Sequence, residues 1–217
     1  MKEFMVDPSD VASTGGEVTP APDWDVTRLS SLFPHLTRRR DLLHLIRPGG
    51  IGVELGVAEG YFSEALLKHS ALGHLYSIDM YAGDRGHDVE EYKRALRRLM
   101  PYRHRNSVLK MTFTEALDLF PDRYFDFIYV DGYAHTGEEG GTTFDDWLPK
   151  LKPGGILGGH DYNHRKWPLV VQAVNQFIAG TGLPLHIIND TATVEWNQGS
   201  PSWFTIVPLL TEYSAAP

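Results

Sequence analysis

The sequence IGVELGVAEGY at residues 51–61 decides the fold. A short apolar run ends at Glu54, and small residues follow it at every second position: Gly56, Ala58 and Gly60. An amphipathic segment comes next, at 61–70. This order predicts a strand, a tight loop and the start of a helix. Small residues let a backbone approach a ligand closely, and the first turn of a helix offers free N–H groups. The stretch therefore predicts a ligand-binding loop.

A second apolar run, at 74–78, ends in Asp79. An acidic side chain about 20 positions beyond such a loop is placed to accept hydrogen bonds from the two hydroxyls of a ribose. Together, the loop and Asp79 predict that a cofactor containing adenosine binds at the first strand.

The spacing within the loop distinguishes between cofactors. A dinucleotide-binding loop has the pattern G-x-G-x-x-G, whereas this chain has Glu54 at the strand end and then small residues at every second position. The arrangement resembles motif I of the class I S-adenosylmethionine-dependent methyltransferases, with Ala58 where many members have glycine. A carboxylate at the strand end suits a cofactor that carries an ammonium and a sulfonium group, and it suits a pyrophosphate poorly.

Acidic residues follow several predicted strands. The four acidic residues at predicted strand ends are Glu54, Asp79, Asp131 and Asp161. Strands alternate with helical segments along the chain, which predicts a parallel sheet covered on both faces. The carboxyl ends of such strands share one edge, where the sites of this architecture lie. Four carboxylates at one edge are costly unless a cation lies among them.

The resemblance implies the fold class and the division of the chain. The expected fold is α/β, with a Rossmann-like, doubly wound sheet of seven mostly parallel strands whose last strand is antiparallel. We expect a mobile arm at 1–22, a helical cap at 23–47 and a methyltransferase catalytic domain at 48–217. Within the cap, Pro34 is expected to separate two helices. These helices would cover the active site or form the contact of a homodimer.

The resemblance also implies a set of cofactor-binding residues. The methionine part of S-adenosylmethionine would be surrounded by Glu54, Gly56, Ala58 and Gly60, and Tyr61 and Phe62, which open the next helix, would pack nearby. The ribose and the adenine would be contacted by residues after the second and third strands, which are Asp79, Met80, Tyr81, Met111 and Thr112. For Tyr61, Phe62 and Met111, ordinary core packing explains the sequence equally well.

Two later motifs, YVDGYAH at 129–135 and GGHDY at 158–162, resemble macrocin-type sugar O-methyltransferases and their relatives. Several of those proteins hold a divalent cation, usually Mg²⁺, with an Asp after the fourth strand and an acidic pair after the fifth. The resemblance therefore implies a metal site of Asp131, His160 and Asp161. His160 departs from the acidic pair, and imidazole suits Zn, Fe, Ni or Mn better than Mg²⁺. Alternatively, Asp131 caps a turn and contacts the cofactor amine, while His160 and Asp161 pair with each other.

His135 is the best candidate for a catalytic base, since an imidazole with a pKa of about 6.5 accepts a proton near neutral pH. Methyl transfer is an in-line displacement at the sulfonium carbon, so the protein mainly aligns the acceptor. A hydroxyl acceptor must lose its proton, and a positioned base contributes about 10²–10⁴-fold. Asp131 completes the predicted catalytic set, because a cation held there would lower the pKa of the hydroxyl. The alternative for His135 is an ordinary histidine of a surface loop.

Composition excludes some functions. The chain has 217 residues and a formal net charge of -8, which disfavours broad binding to a nucleic-acid backbone. It has no cysteine, and therefore no disulfide and no thiolate metal site. We find no apolar run of about 18 residues and no signal peptide, so a cytoplasmic protein is expected.

The predicted function is O-methylation of a small hydroxylated molecule, such as a sugar or a natural-product scaffold, with S-adenosylmethionine as cofactor and with assistance from Mg²⁺ or another divalent cation. Three alternatives remain open. The first is an NAD-type oxidoreductase, against which the spacing of the loop argues. The second is a non-catalytic cofactor-binding or assembly protein, which would bind the cofactor without turnover. The third is a hydroxylase-like relative of the same fold, which would need redox-active iron.

Overall fold

The computed structural model describes residues 33, 35–83, 86–132, 139–189, 193–194, 197–198 and 200–208. The predicted arm at 1–22, most of the first predicted helix of the cap and the candidate base His135 lie outside these ranges.

The strands and helices follow one another along the chain. The strands are β1 Ile51–Leu55, β2 His74–Asp79, β3 Asn106–Lys110, β4 Phe125–Val130, β5 Leu151–Gly159, β6 His186–Ile188, β7 Thr193–Val194, β8 Asn197–Gln198 and β9 Ser202–Ile206. The α-helices are α1 Tyr61–His69, α2 Val89–Leu99, α3 Phe113–Leu117, α4 Thr142–Trp147 and α5 Pro168–Thr181. Short 3₁₀ helices form at Arg39–Leu45, Met100–Tyr102 and Leu148–Lys150.

Seven of the described strands form one sheet in the order β3-β2-β1-β4-β5-β9-β6. The pairs among β1 to β5 are parallel, and β9 is antiparallel to both of its neighbours. The order reverses at β1, so the carboxyl ends of β1 and β4 flank the crevice where ligands bind in open α/β sheets. The predicted fold class is therefore confirmed.

Both faces of the sheet are buried, as a parallel sheet requires. In β4, every side chain is buried: Ile128 and Val130 pack into the cluster that includes α5, whereas Phe127 and Tyr129 pack into the cluster that includes α1. The longest described helix, α5, has 14 residues. Within the described ranges, no helix has both the length and the apolar character needed to cross a membrane.

Three elements differ from what the sequence predicts. The sequence at 143–151 predicts a helix, but this helix ends at Trp147, since Pro149 has no N–H to continue the ladder. The sequence Pro-Gly-Gly at 153–155 predicts a turn, but it lies inside β5, where the pairing with β4 shifts in register. The second helix of the predicted cap is the 3₁₀ helix Arg39–Leu45 rather than an α-helix.

A buried carboxylate joins the start of β4 to two neighbouring segments. Asp126 accepts hydrogen bonds from Arg47 Nη2 at 2.7 Å, Lys152 Nζ at 2.6 Å and the Ile51 N–H at 2.9 Å. Burial raises the pKa of Asp126, but these hydrogen bonds and the two positive charges lower it more, so the pKa lies below its ordinary value. Ionised Asp126 therefore stabilises the fold.

We expect Asp126→Asn to lower the free energy of unfolding at pH 7 by about 2 kcal/mol, because it removes the negative charge and one of the two oxygens that accept hydrogen bonds from Arg47, Lys152 and Ile51. A carboxyl with a lowered folded-state pKa stabilises the fold above its unfolded pKa of about 4. The difference between wild type and variant should therefore be full above about pH 4 and shrink as the pH falls further. Urea unfolding at several pH values measures it.

Asp122→Asn is the matched control for this experiment. The carboxylate of Asp122 contacts Lys150 Nζ at 3.0 Å, but its side chain is 69% exposed. We expect this change to alter the free energy of unfolding by less than about 1 kcal/mol, since exposed ion pairs contribute little. Equal effects of the two substitutions would contradict the structural role of Asp126.

Candidate cofactor and active site

The loop after β1 is held in a conformation that explains its alternating small residues. Gly56, Ala58 and Gly60 all have positive φ, at 98°, 47° and 80°. Only glycine adopts this region without strain, and an alanine there costs roughly 1–2 kcal/mol. Ala58 therefore adopts the backbone geometry of the glycine that many family members have. Gly60 is the N-cap of α1, so the loop delivers the chain directly into the helix.

The backbone of the loop lies directly against the backbone at the end of β4. A Cβ added to Gly56 would lie 2.2 Å from the backbone of Gly132, and one added to Gly132 would lie 2.9 Å from Gly56 Cα. The N–H of Asp131 donates to the Leu55 carbonyl at 2.8 Å. Two glycines thus bring the loop against the segment that carries Asp131.

Asp79, at the end of β2, reaches the same loop. One carboxylate oxygen accepts hydrogen bonds from the N–H groups of Val57 at 2.8 Å and Ala58 at 2.9 Å. The carboxylate that was predicted to bind the ribose hydroxyls therefore lies at the loop. Its ribose contact stays a prediction.

The two residues after Asp79 have different surroundings. Tyr81 is 2% exposed, donates its hydroxyl to the Ala58 carbonyl at 2.8 Å and packs against the ring of Tyr92. Burial, and then the charge of nearby Asp79, raise the pKa of the Tyr81 hydroxyl. Tyr81 thus holds the loop from below. Met80 is 38% exposed, and the adenine contacts expected of Met80 and Tyr81 stay predictions.

Glu54 lies beneath the loop rather than on its surface. Its carboxyl is 1% exposed and accepts a short hydrogen bond from the Ser63 hydroxyl, which lies 2.8 Å from Ser77 Oγ. Burial raises the pKa of Glu54 well above its ordinary value, and the Ser63 hydrogen bond offsets part of that increase. In this structure Glu54 fixes the start of α1, and its contact with a cofactor stays a prediction.

The aromatic rings of the first two residues of α1 each have an arginine guanidinium against one face. The guanidinium of Arg98 lies 3.4 Å from the ring centre of Tyr61, and that of Arg39 lies 4.2 Å from the ring centre of Phe62. Arg98 also donates to the Glu59 carbonyl at 3.0 Å. Phe62 is 3% exposed, so the structure favours core packing for it.

Thr112 begins α3 as its N-cap. Its hydroxyl accepts from the Glu115 N–H at 3.1 Å, and the Glu115 carboxylate accepts from the Thr112 N–H at 2.9 Å. This capping box accounts for Thr112 in the fold, and its expected contact near the adenine stays a prediction. The preceding Met111 donates its N–H to the Asp79 carbonyl at 3.1 Å and is partly buried.

Asp131, His160 and Asp161 come together at the ends of β4 and β5. His160 Nδ1 lies 3.4 Å from Asp131 Oδ1 and 3.3 Å from Asp161 Oδ1. Asp131 Oδ2 lies 2.5 Å from Arg39 Nη1. Asp161 has φ at 58°, a left-handed conformation that aspartate tolerates better than most residues. The sequence therefore predicted the three residues of this group correctly as neighbours.

In this group, the imidazole of His160 forms ion pairs with the carboxylates of Asp131 and Asp161. Burial lowers the pKa of His160, but the charge of Asp131 and the hydrogen bonds to Asp131 and Asp161 raise it more, to about 9. The imidazole is therefore protonated at neutral pH and lies between two carboxylates. Its Nε2 is buried and, in the described chain, has no hydrogen-bond partner.

The donor set does not fit a divalent metal ion. One oxygen of each carboxylate faces the nitrogen of a protonated imidazole, and the other oxygen of Asp131 is held by Arg39. Over the described ranges, no group of three or more His, Asp or Glu side chains could hold a metal ion. The metal site that was expected from the resemblance is not supported.

Arg39 is the residue of this site that the sequence analysis missed. It lies in the 3₁₀ helix Arg39–Leu45, 92 positions from Asp131, and is 2% exposed. The available signal was the run Arg38-Arg39-Arg40 just before an apolar segment. That run gives no means of telling which arginine turns inward.

Strand order, the left-handed loop after β1 and the acid at the end of β2 together define a class I methyltransferase fold. The comparison with known families agrees. The family model described as a methyltransferase domain matches residues 40–162, more than half of the chain. The chain therefore belongs to this methyltransferase domain family.

A relative and two solved structures are similar to the chain. An uncharacterised protein of Sinorhizobium fredii (strain NBRC 101917 / NGR234) is 32% identical over 132 residues, which are 58% of this chain and 14% of that protein. The chain thus matches only a small part of that much longer relative.

Both solved structures show the same fold at low identity. The O-methyltransferase from Bacillus cereus in complex with SAH has a TM-score of 0.58 and 15% identity, with 83% of this chain and 88% of that chain covered. Spermidine synthase from Thermotoga maritima has a TM-score of 0.59 and 13% identity, with 84% and 60% covered. Since the two names differ in reaction, the likeness establishes the fold and leaves the reaction to the site.

Proposed function

We propose that this domain transfers a methyl group from S-adenosylmethionine to a hydroxyl of a small molecule. The observation that carries the proposal is the contact of Asp79 with the N–H groups of Val57 and Ala58. It joins the acid of β2 to the left-handed loop of β1 at the point where the strand order reverses. The family membership supports the methyl transfer, and the sugar or natural-product nature of the acceptor rests on the resemblance to macrocin-type enzymes.

Different residues at the carboxyl ends of the strands would contact different parts of the cofactor. The left-handed loop and the start of α1 would lie along the methionine part, and Gly56 and Gly60 let the loop pack closely against Gly132 and α2. Asp79 would accept hydrogen bonds from the ribose hydroxyls, and Met80 would lie against the adenine. Asp131, at the neighbouring strand end, would accept from the ammonium group. S-adenosylmethionine would supply an activated methyl group at its sulfonium.

Alignment of the acceptor and removal of its proton complete the proposed reaction. His135 is the proposed base, four positions beyond Asp131 in the chain. His160 is less suited to the task, because its raised pKa of about 9 keeps the imidazole protonated near neutral pH. A base must have its proton site free at the working pH.

The first test is calorimetric titration of the protein with S-adenosylmethionine and S-adenosylhomocysteine. Micromolar binding of both would support the proposal and justify a screen of hydroxylated acceptors by release of S-adenosylhomocysteine. Binding without turnover on any acceptor would favour the non-catalytic alternative. If neither compound binds, the proposal fails, and nicotinamide cofactors become the next candidates. The cytoplasmic location and the homodimer stay predictions.

His135→Ala tests the base once an acceptor is known. We expect kcat to fall about 100-fold, since a positioned base contributes about 10²–10⁴-fold. The affinity for S-adenosylhomocysteine should stay the same, because the base meets the acceptor rather than the cofactor. Steady-state kinetics and calorimetry measure the two quantities, and His69→Ala, at the end of α1, is the control. Wild-type turnover in His135→Ala would reject His135 as the base.

A further inference from the structure

We propose that Arg39 is the resident cation of the active site and stands in the place where a divalent metal was expected. Four acidic residues lie at predicted strand ends, and they require positive charge nearby. The structure supplies that charge from within the chain. Arg39 is thereby a positioning residue that fixes the carboxylate of Asp131.

The guanidinium is fixed on several sides. Its Nη1 lies 2.5 Å from Asp131 Oδ2, and its central carbon lies 4.2 Å from the ring centre of Phe62 and 5.8 Å from that of Tyr129. The Arg39 side chain is 2% exposed. The two rings belong to α1 and β4, so the cation is held between the two elements that carry the site. A planar guanidinium suits both the stacking and the carboxylate.

The same contacts leave little room for a metal ion. Arg39 already binds one oxygen of Asp131, and the other oxygen faces His160 Nδ1 at 3.4 Å. A divalent ion that bound Asp131 would lie beside a positive charge that cannot be deprotonated, because arginine keeps its proton at any physiological pH. The ion would also have to displace a charge-assisted hydrogen bond at 2.5 Å.

Arg98 provides a matched control. Both arginines place a guanidinium on the face of an aromatic ring at the start of α1, Arg98 on Tyr61 and Arg39 on Phe62. Arg98 pairs with Glu64 at 3.2 Å, whereas Arg39 pairs with Asp131. A substitution of either arginine removes a cation–π contact and an ion pair, but only one of them lies at the strand ends.

The experiment measures binding of Mn²⁺ by electron paramagnetic resonance in wild type, Arg39→Met, Arg98→Met and Asp131→Asn. In wild type and in Arg98→Met, we expect no Mn²⁺ site that uses the Asp131 carboxylate. Arg39→Met frees the Asp131 carboxylate, so its Mn²⁺ affinity should rise at least tenfold over wild type. Circular dichroism confirms that each variant is folded.

A second arm uses calorimetry with S-adenosylhomocysteine and rests on the proposed function. Wild-type affinity should be unchanged by a chelator or by millimolar Mg²⁺. The affinity of Arg39→Met should fall at least tenfold, because Asp131 is no longer held, and millimolar Mg²⁺ should restore part of the loss. If wild type binds no S-adenosylhomocysteine, the proposed function fails, while the Mn²⁺ arm still tests Arg39.

Two results would overturn the inference. One is Mn²⁺ binding to the wild-type protein that disappears in Asp131→Asn, since it would show a metal alongside Arg39. The other is a folded Arg39→Met that neither gains Mn²⁺ affinity nor loses S-adenosylhomocysteine affinity. If Arg39→Met does not fold, the comparison of wild type with Asp131→Asn alone decides between a resident cation and a metal site.

Discussion

Gly56→Ala is expected to lower the free energy of unfolding by about 3 kcal/mol or more, because it adds both a clash and backbone strain. The new Cβ would lie 2.2 Å from the Cα and the N of Gly132 and 2.5 Å from the carbonyl carbon of Asp131. Backbone atoms cannot rotate away as a side chain can, so β1 and β4 must separate. The same separation would displace the loop from Asp79 and abolish measurable cofactor binding.

Gly49→Ala separates the strain from the clash. Gly49 also has a positive φ, 74°, but a Cβ there would meet nothing within 4 Å. Only the conformational cost remains, so we expect a loss of about 1 kcal/mol and unchanged cofactor affinity. Urea unfolding of the two variants beside wild type gives both values. Equal destabilisation by Gly56→Ala and Gly49→Ala would show that the close approach of Gly56 to Gly132 does not contribute to stability.

The loop could be predicted from the sequence because its signal is local. The alternation of Gly56, Ala58 and Gly60 reflects three left-handed φ angles, and each angle is a property of one residue. The parallel sheet could be predicted for a similar reason, since apolar runs that end in acids alternate with helical segments. The capping box of Thr112 and Glu115 is also a local signal, since the two residues are three positions apart.

Contacts between distant positions could not be predicted in this way. Arg39 and Asp131 are 92 positions apart, and the local sequence of neither residue indicates that the two form an ion pair. The resemblance implied a divalent cation at Asp131, whereas the described residues place the guanidinium of Arg39 there. Arg94 likewise binds Glu59 of the loop at 2.8 Å, although its helix looks like an ordinary charged surface helix. Tertiary pairing decides which partner each charged side chain finds.

Two of the predicted cofactor residues are buried and form hydrogen bonds within the protein. Glu54 and Tyr81 are 1% and 2% exposed, and both bond to other parts of the loop or of α1. Their side chains therefore stabilise the loop, and their contacts with a cofactor stay predictions. Sequence position alone does not distinguish a residue that touches a ligand from one that shapes the surface the ligand meets.

Asp79→Ala is expected to weaken binding of S-adenosylhomocysteine at least 100-fold. Two charge-assisted hydrogen bonds to ribose hydroxyls contribute about 1.5–3 kcal/mol each, and a 100-fold change corresponds to about 2.7 kcal/mol. The substitution also leaves the N–H groups of Val57 and Ala58 without their acceptor, which lies 2.8 and 2.9 Å away in this structure. Loss of the ribose contact and loosening of the loop act in the same direction. Calorimetry measures the affinity.

Asp88→Ala is the control that separates cofactor binding from general loss of a capping carboxylate. Asp88 also accepts two backbone hydrogen bonds, from Glu90 and Glu91, both at 3.0 Å, but it does so at the start of α2. Its removal should lower stability without changing the affinity for S-adenosylhomocysteine. Asp79→Asn should fall between the two variants, because the amide oxygen can still accept from one loop N–H while the charge is lost. Wild-type affinity in Asp79→Ala would remove the ribose assignment, and with it the strongest residue-level argument that this edge of the sheet binds an adenosine cofactor.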